Sequence, residues 1–514
     1  MKQIFARKVL NSGHMLLLSM ESHDGNLRSD SSSEKRSILP PAEESHDVCP
    51  RQWALSRFPK RYIVAIMAFL GFCNIYSLRA NLSVAIVAMV AKKGENVTSA
   101  YQGDFPTFDW STKQEGLVLS SFFYGYIFTQ LPGGYLANRI GGKYLFGGGI
   151  FMTALLTVLT PLFAKGGVGL IVAIRVLEGL CEGVTYPSIL AVWAKWAPPL
   201  ERTKLATIAF SGSYIGTVIS MLLSGYMLES GLGWPSIFYL FGGIALLWCV
   251  CWGYFIAESP SSHPTITSVE VEYIQANIGY TEEQTKDILP PWTDIFKSPA
   301  VWAIVAAHFA ENWGFYTWLT ELPSFMRHGL NFRIDKAGFV AAFPYLVMGV
   351  VVMSSGFLAD YLRGRAVVST TAIRKLFTCG AFFCQLIFMV AAGYIMTPVA
   401  ACVCLTLAVG LGGFAWGGFS VNHLDIAPQY ASVTMGISNT FATIPGIVSP
   451  LLTGAIVTQK TDVGQWQIVF YIAAAIYLLG AVFYGIFASG NRQKWAEVPT
   501  GYLSQIDVDI DKDL

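Results

Sequence analysis

Charge is scarce in this 514-residue chain. Asp, Glu, Lys and Arg make up 13% of it and hydrophobic residues 53%, where an ordinary soluble domain carries about 25% charged residues. The shortage excludes a soluble globular protein and, with a mean hydropathy of +0.49, puts most of the chain in lipid. A formal net charge of +1 supplies no field to recruit nucleic acid, so no nucleic-acid partner is expected. Of nine cysteines, all but Cys49 fall in apolar runs, where they act as small hydrophobes rather than a disulfide framework. Nucleophile elbow, phosphate-binding loop and metal-ligand spacing are all missing, so neither an enzyme nor a metal or cofactor is expected.

Long apolar runs are what the chain has instead. From Tyr62 onward, stretches of about 20 residues recur, each enough to cross about 30 Å of hydrocarbon. They predict helices near 62–91, 115–138, 144–164, 167–194, 205–229, 232–257, 299–325, 337–362, 374–396, 398–420, 430–457 and 467–489. The resulting organisation is a polar cytosolic tail (1–60), a six-helix half (61–257), a cytosolic linker with a short helix (258–297), a second six-helix half (298–490) and a cytosolic tail (491–514). Lys and Arg flanking the spans, among them Arg57, Lys60, Arg61, Lys143, Arg202, Lys204 and Lys375, gather on the side that holds both termini, which the positive-inside rule makes cytosolic. Asn96-Val97-Thr98 is then a glycosylation sequon on the opposite side.

An internal repeat divides the chain more sharply than hydropathy does. Gly134-Tyr-Leu-Ala-Asn-Arg-Ile-Gly-Gly-Lys143 follows the second span, and Gly356-Phe-Leu-Ala-Asp-Tyr-Leu-Arg-Gly-Arg365 follows the eighth. The same motif at the same place in each half marks a duplicated unit, as in transporters whose halves rock about a central site. Gly134, Asn138, Arg139, Gly356, Asp360 and Arg363 are the expected conformational latch. Two unrelated basic turns are the plainer reading.

Charges at bilayer depth cost about 2.5–3.5 kcal/mol or more and mark function by default. Arg79 lies deep in the first span. Arg175, Glu178 and Glu182 share one face of the fourth, at spacings of three and four. Arg175 and Glu178 can neutralise each other, as a proton-coupling pair or a purely structural one, which leaves Glu182 with no cation in its own helix and makes it the candidate proton carrier. Arg79 and Arg175 are the candidate anion clamps. Tyr124 and Tyr126, with Tyr76, Phe122 and Phe123, are candidate cavity linings. In the seventh span His308 and Glu311, three apart, form either a second coupling pair or a packed polar patch.

"SLRANLSVAIV" (from Ser77), "SSFFYGYIFTQLPGGYLANRIGGK" (120–143), "EGVTYP" (182–187), "WAPPLERTKLATI" (196–208), "GGFAWGGFSVNHLDIAPQYA" (412–431) and "ISNTFATIPGIVSPLLTG" (437–454) resemble the anion/cation symporter family of the major facilitator superfamily, over about residues 60–498. That family includes sialin, the vesicular glutamate transporters and sodium-phosphate cotransporter homologues, and the sialin-like members are the most similar. The resemblance implies an all-α major facilitator fold of twelve transmembrane helices in two six-helix halves. It also implies alternating access, with a proton as coupling ion and an acidic sugar or acidic amino acid as substrate, in a lysosomal, endosomal or vesicle membrane. Arg79, Arg175, Glu178 and Glu182 match positions that carry anion binding and proton coupling in such members. Leu119 and Glu311 stand where the glutamate transporters have histidine and arginine, and Leu190 where sialin has histidine. Sodium-coupled phosphate transport, and a plasma-membrane location, stay open beside this reading. In the tail, Glu34, Ile38 and Leu39 fit an acidic dileucine signal of the kind that clathrin adaptors read, a pattern that also arises by chance.

Overall fold

A computed structural model describes residues 58–90, 105–278, 289–325, 334–366, 368–395, 397–459 and 461–497. Asn96, Glu34, Ile38 and Leu39 lie outside them. The first half is built of α1 (Lys60–Met89), α2 (Thr112–Ile140), α3 (Gly142–Ala164), α4 (Val168–Glu182), α5 (Thr185–Trp196), α6 (Arg202–Glu229) and α7 (Trp234–Phe255). Two short helices, α8 (Ser268–Ile278) and α9 (Trp292–Lys297), lie in the linker. The second half comprises α10 (Pro299–Ser324), α11 (Ile334–Gly364), α12 (Thr370–Tyr394), α13 (Pro398–Ala415), α14 (Val421–Ile426), α15 (Ala431–Ile456) and α16 (Val463–Phe487). Among the described residues there is no strand, and eight segments are long and apolar enough to cross a membrane.

Each predicted span meets a helix, and two of them differ in shape from the expectation. The fourth is not continuous: it breaks between α4 and α5 at Gly183 and Val184. Pro187 has no N–H to give the Gly183 carbonyl, and its ring crowds that carbonyl, so the ladder is interrupted there. The tenth does not stop at residue 420. A π-helical turn, Trp416–Ser420, joins α13 to α14, and the span runs to Ile426. Asn422, His423 and Asp425 lower the local hydropathy, which hid this extension. At the start of α2 the ends agree with local chemistry, since Ser111 and Gln114 form a reciprocal capping box.

Without a hydrophobic drive between helices in lipid, close backbone approach decides packing. A Cβ on Gly212 would sit 2.1 Å from the Phe69 carbonyl, and one on Gly216 2.3 Å from that of Cys73. Both positions hold α6 against α1, and Ser77 Oγ adds a hydrogen bond to the Gly216 carbonyl at 3.0 Å.

Three helix N-termini at the basic end are closed by carboxylates from elsewhere in the chain, each placed against the positive end of a helix dipole. Glu270 of α8 accepts from the amides of Lys60 and Arg61 at 2.9 and 3.2 Å, and Arg61 also reaches Glu201 at 2.6 Å, which ties the linker to α1. Glu258 accepts from the amides of Gly142 and Lys143 at 3.1 and 2.9 Å; Gly141 makes the one-residue turn between α2 and α3 with φ 111°, a conformation suited to glycine. Asp360 of α11 accepts from the amides of Thr203 and Lys204 at 3.3 and 2.7 Å. Only this third cap joins the two halves.

The repeated motif lies at this same closure. Gly134 passes so close to Ser432 that a Cβ would meet its carbonyl at 2.4 Å, and Gly356 passes Thr207 equally tightly. Asn138 Nδ2 donates to the Gln429 carbonyl at 3.2 Å, and Ser432 Oγ donates to Asn138 Oδ1 at 2.8 Å. Arg363 donates to the Pro199 carbonyl at 2.8 Å. Arg139 departs from the expected latch: it is exposed and stays over the Tyr135 ring of its own helix at 5.6 Å. Arg202 joins Arg363 in bridging the halves here: its guanidinium donates to the Leu424 carbonyl at 2.8 Å. Asp425 gathers Arg374 at 2.7 Å, Arg363 at 3.5 Å and Arg202 at 3.8 Å.

Candidate functional site

Two-thirds of the way along α1, Arg79 is brought against α2, α4 and α10. Its guanidinium is enclosed by the rings of Tyr76, Phe122 and Tyr126 at 4.8, 4.7 and 4.7 Å, cation–π contacts worth about 0.5–2 kcal/mol each. Arg79 Nε donates to Glu182 Oε1 at 3.0 Å, a second guanidinium nitrogen donates to the same oxygen, and a third reaches Tyr316 Oη at 3.4 Å. Within α4 Glu182 has no cation of its own, since Arg175 pairs with Glu178. The structure supplies one from α1, a pairing that sequence spacing does not encode. Glu182 is fully buried, and its other oxygen, Oε2, accepts no hydrogen bond.

In the second pair the carboxylate is saturated. Arg175 donates to Glu178 Oε2 at 2.5 Å, and Glu178 Oε1 accepts from Thr157 and Thr160 of α3 at 3.1 and 3.2 Å. Phe122 stands between the two guanidinium groups, 5.2 Å from that of Arg175. Of the two glutamates, Glu182 is therefore the one with spare acceptor capacity.

Glycines bring α4 close enough to make this cluster. A Cβ on Gly179 would lie 2.0 Å from the Phe122 carbonyl, and one on Gly183 2.6 Å from that of Tyr126. Gly179→Ala is expected to force α2 and α4 apart at a cost of about 1–3 kcal/mol and to lower the thermal midpoint of the purified protein while impairing uptake. An unchanged midpoint would show that the helices accommodate the methyl group.

Other expected site residues are distributed less simply. Tyr126 faces the cluster and accepts from Asn439 Nδ2 of α15 at 3.1 Å. Tyr124, two positions earlier and so about 200° round the helix, is 38% exposed and hydrogen-bonded to Ser120; it does not line the Arg79 cluster. His308 does not pair with Glu311. Its Nδ1 lies 3.1 Å from Ser438 Oγ, which in turn is 3.2 Å from His423 Nε2, while Glu311 lies buried without a hydrogen bond. Sequence reading missed Tyr316, Asn439, Arg202, Arg374 and Asp425. Of these, Arg202 and Arg374 were visible only as basic residues flanking predicted spans.

The Major Facilitator Superfamily profile matches residues 64–450. Sialin of Ovis aries is 45% identical over 452 residues, covering 85% of this chain and 90% of that one. Sialin of Homo sapiens is 43% identical over 485 residues, covering 91% and 96%, and vesicular glutamate transporter 3 of Danio rerio is 43% identical over 442 residues, covering 85% and 75%. Among solved structures, a proton:xylose symporter superposes with a TM-score of 0.64 at 15% identity, covering 86% of this chain and 99% of that one. The E. coli fucose:proton symporter gives 0.56 at 13%, covering 83% and 99%; at such identities the likeness concerns the fold alone. With a family match over most of its length and relatives above 40% identity, the chain is a multi-pass membrane transporter that belongs to the major facilitator superfamily, in the same family as the sialins and vesicular glutamate transporters.

Proposed function

We propose that this transporter is a proton-coupled symporter of organic anions, acidic sugars or acidic amino acids, that works by alternating access from a lysosomal or vesicular membrane. The observation that carries the reading is the shared partner: among the described residues Arg79 is the only cation in ion-pair contact with Glu182, and one guanidinium fork holds one carboxylate well. While Glu182 is ionised it occupies Arg79. A proton on Glu182 releases Arg79 to a substrate carboxylate, so proton and anion bind together or not at all. Arg175, held by Glu178 behind Phe122, is positioned to add positive potential or to engage the anion after rearrangement. The caps and latches at the basic end hold one conformation, and both termini, with the tail signal at Glu34, Ile38 and Leu39, face the cytosol and its clathrin adaptors. Asn96 is the glycosylation site on the other face. The departure at Glu311 from the glutamate transporters' arginine favours other acids over glutamate.

The test is uptake of labelled sialic acid, glucuronate, glutamate and phosphate by cells that display Ile38→Ala/Leu39→Ala protein at the surface, at acidic and neutral external pH, with and without sodium. Acid-stimulated, sodium-independent uptake of an organic acid is expected. Sodium-dependent phosphate uptake would replace this reading and take the proton role from Glu182.

A further inference from the structure

One carboxyl group is left unused by the Arg79–Glu182 exchange. Glu311 sits near the middle of α10 at 1% exposure, and neither of its oxygens accepts a hydrogen bond. Among the described residues no Lys, Arg or His comes within ion-pair distance, and His308 on the same helix is engaged by Ser438. Gln385 of α12, Tyr477 of α16 and Gly412 of α13 gather around it. Gln385 Nε2 donates to Tyr477 Oη at 3.1 Å, and Gln385 Oε1 is buried without a donor. A Cβ on Gly412 would meet Gln385 Nε2 at 2.3 Å and Glu311 Oε1 at 3.2 Å, so the amide and the carboxyl group share the space left by that glycine.

An ionised carboxylate at this depth with no cation costs several kcal/mol, whereas a neutral acid needs only one acceptor for its O–H. A primary amide serves both forms: its N–H₂ donates to the carboxylate, and half a turn about its last bond offers Oε1 to the acid. Two carboxyl oxygens and one amide oxygen are fewer than the roughly six that a hard metal ion collects. The opposite half closes over α10 one turn along from Glu311: Tyr214 of α6 packs on Phe315 at 5.8 Å and on Trp416 at 6.2 Å. When α6 moves away from α11, that cover leaves and water gains the carboxyl group.

We infer that Glu311, with Gln385 as its switchable partner, is a second proton-binding site, in the other half of the molecule from Glu182, that is loaded while α6 closes over α10 and unloaded when the halves part. The inference rests on the proton-coupled reading for its role in transport, though not for the binding itself. Infrared difference spectra of the purified full-length protein, acid minus neutral, are expected to contain a protonated-carboxyl C=O band that vanishes in Glu311→Gln and is the same in sodium and potassium salts. A band unchanged in the variant, no band that titrates, or a band suppressed by sodium at constant pH would each overturn it. In proteoliposomes with radiolabelled glucuronate, Glu311→Gln is expected to move one proton fewer per substrate and to keep exchange at equal pH. Loss of exchange in a folded variant would make the residue structural and end the proposal. If the wild type ignores glucuronate altogether, the transport reading fails while the infrared result still decides the site.

Discussion

Glu182→Gln is expected to bind organic anions at least as tightly as the wild type and with no dependence on pH, while acid-driven accumulation falls by about 100-fold or more, equivalent to about 2.7 kcal/mol of lost coupling. The amide has the shape of the protonated acid and cannot recapture Arg79 by charge. The three aromatic faces around the guanidinium keep it in place, so the variant should fold and reach the membrane. In the wild type, by contrast, one proton taken up per anion makes affinity fall about tenfold for each pH unit above the titration of Glu182. Direct binding measurements at two pH values separate the cases. A Gln variant that retains the wild-type pH dependence of binding would place the coupling proton on another group.

Asp425→Asn should have the larger conformational effect. One carboxylate there faces Arg374, Arg363 and Arg202, and Arg374 further donates to the Gly417 carbonyl at 2.6 Å and to Thr203 Oγ1 of the opposite half at 3.1 Å. Removing the negative charge leaves buried guanidinium groups facing one another, a loss of about 3–5 kcal/mol. Because Arg202 belongs to the first half and Arg374 to the second, part of that loss is relieved by separation. The balance is expected to move by about 100-fold toward the state open at the basic end, since each 1.4 kcal/mol is a factor of ten. Alkylation of Asn138→Cys from the basic side should rise accordingly in the Asp425→Asn background. Equal labelling in both backgrounds would show that this charge cluster does not hold the closure.

The spans, the duplicated motif and the charged face of α4 are legible in the sequence because each is local: hydropathy has the length of a helix, and a spacing of three or four residues fixes one face. What the sequence could not show are the partners between helices. Arg79 and Glu182 are 103 positions apart, and nothing in either neighbourhood states that α1 crosses α4 at that height. His308 and Glu311 illustrate the converse: a spacing of three permits contact and left a pair and a packed polar patch both open, and only the structure shows Ser438 taking the histidine. Asp425 escaped notice because the polar residues that build the charge cluster also depress the hydropathy that would have extended the span to include it.

The π-helical turn at Trp416–Ser420 gives that cluster its aim. It holds one more residue per turn than an α-helix would, and Arg374 caps the Gly417 carbonyl that the widened turn exposes. Deleting Gly417 or Gly418 would restore a regular ladder and rotate everything that follows by about 100°. His423 would swing off Ser438 and Asp425 off its arginines, without the loss of a single charged side chain. The closure of the basic end is thus written in register as much as in charge, and a one-residue deletion in a glycine pair would undo it more thoroughly than most substitutions of the ions themselves.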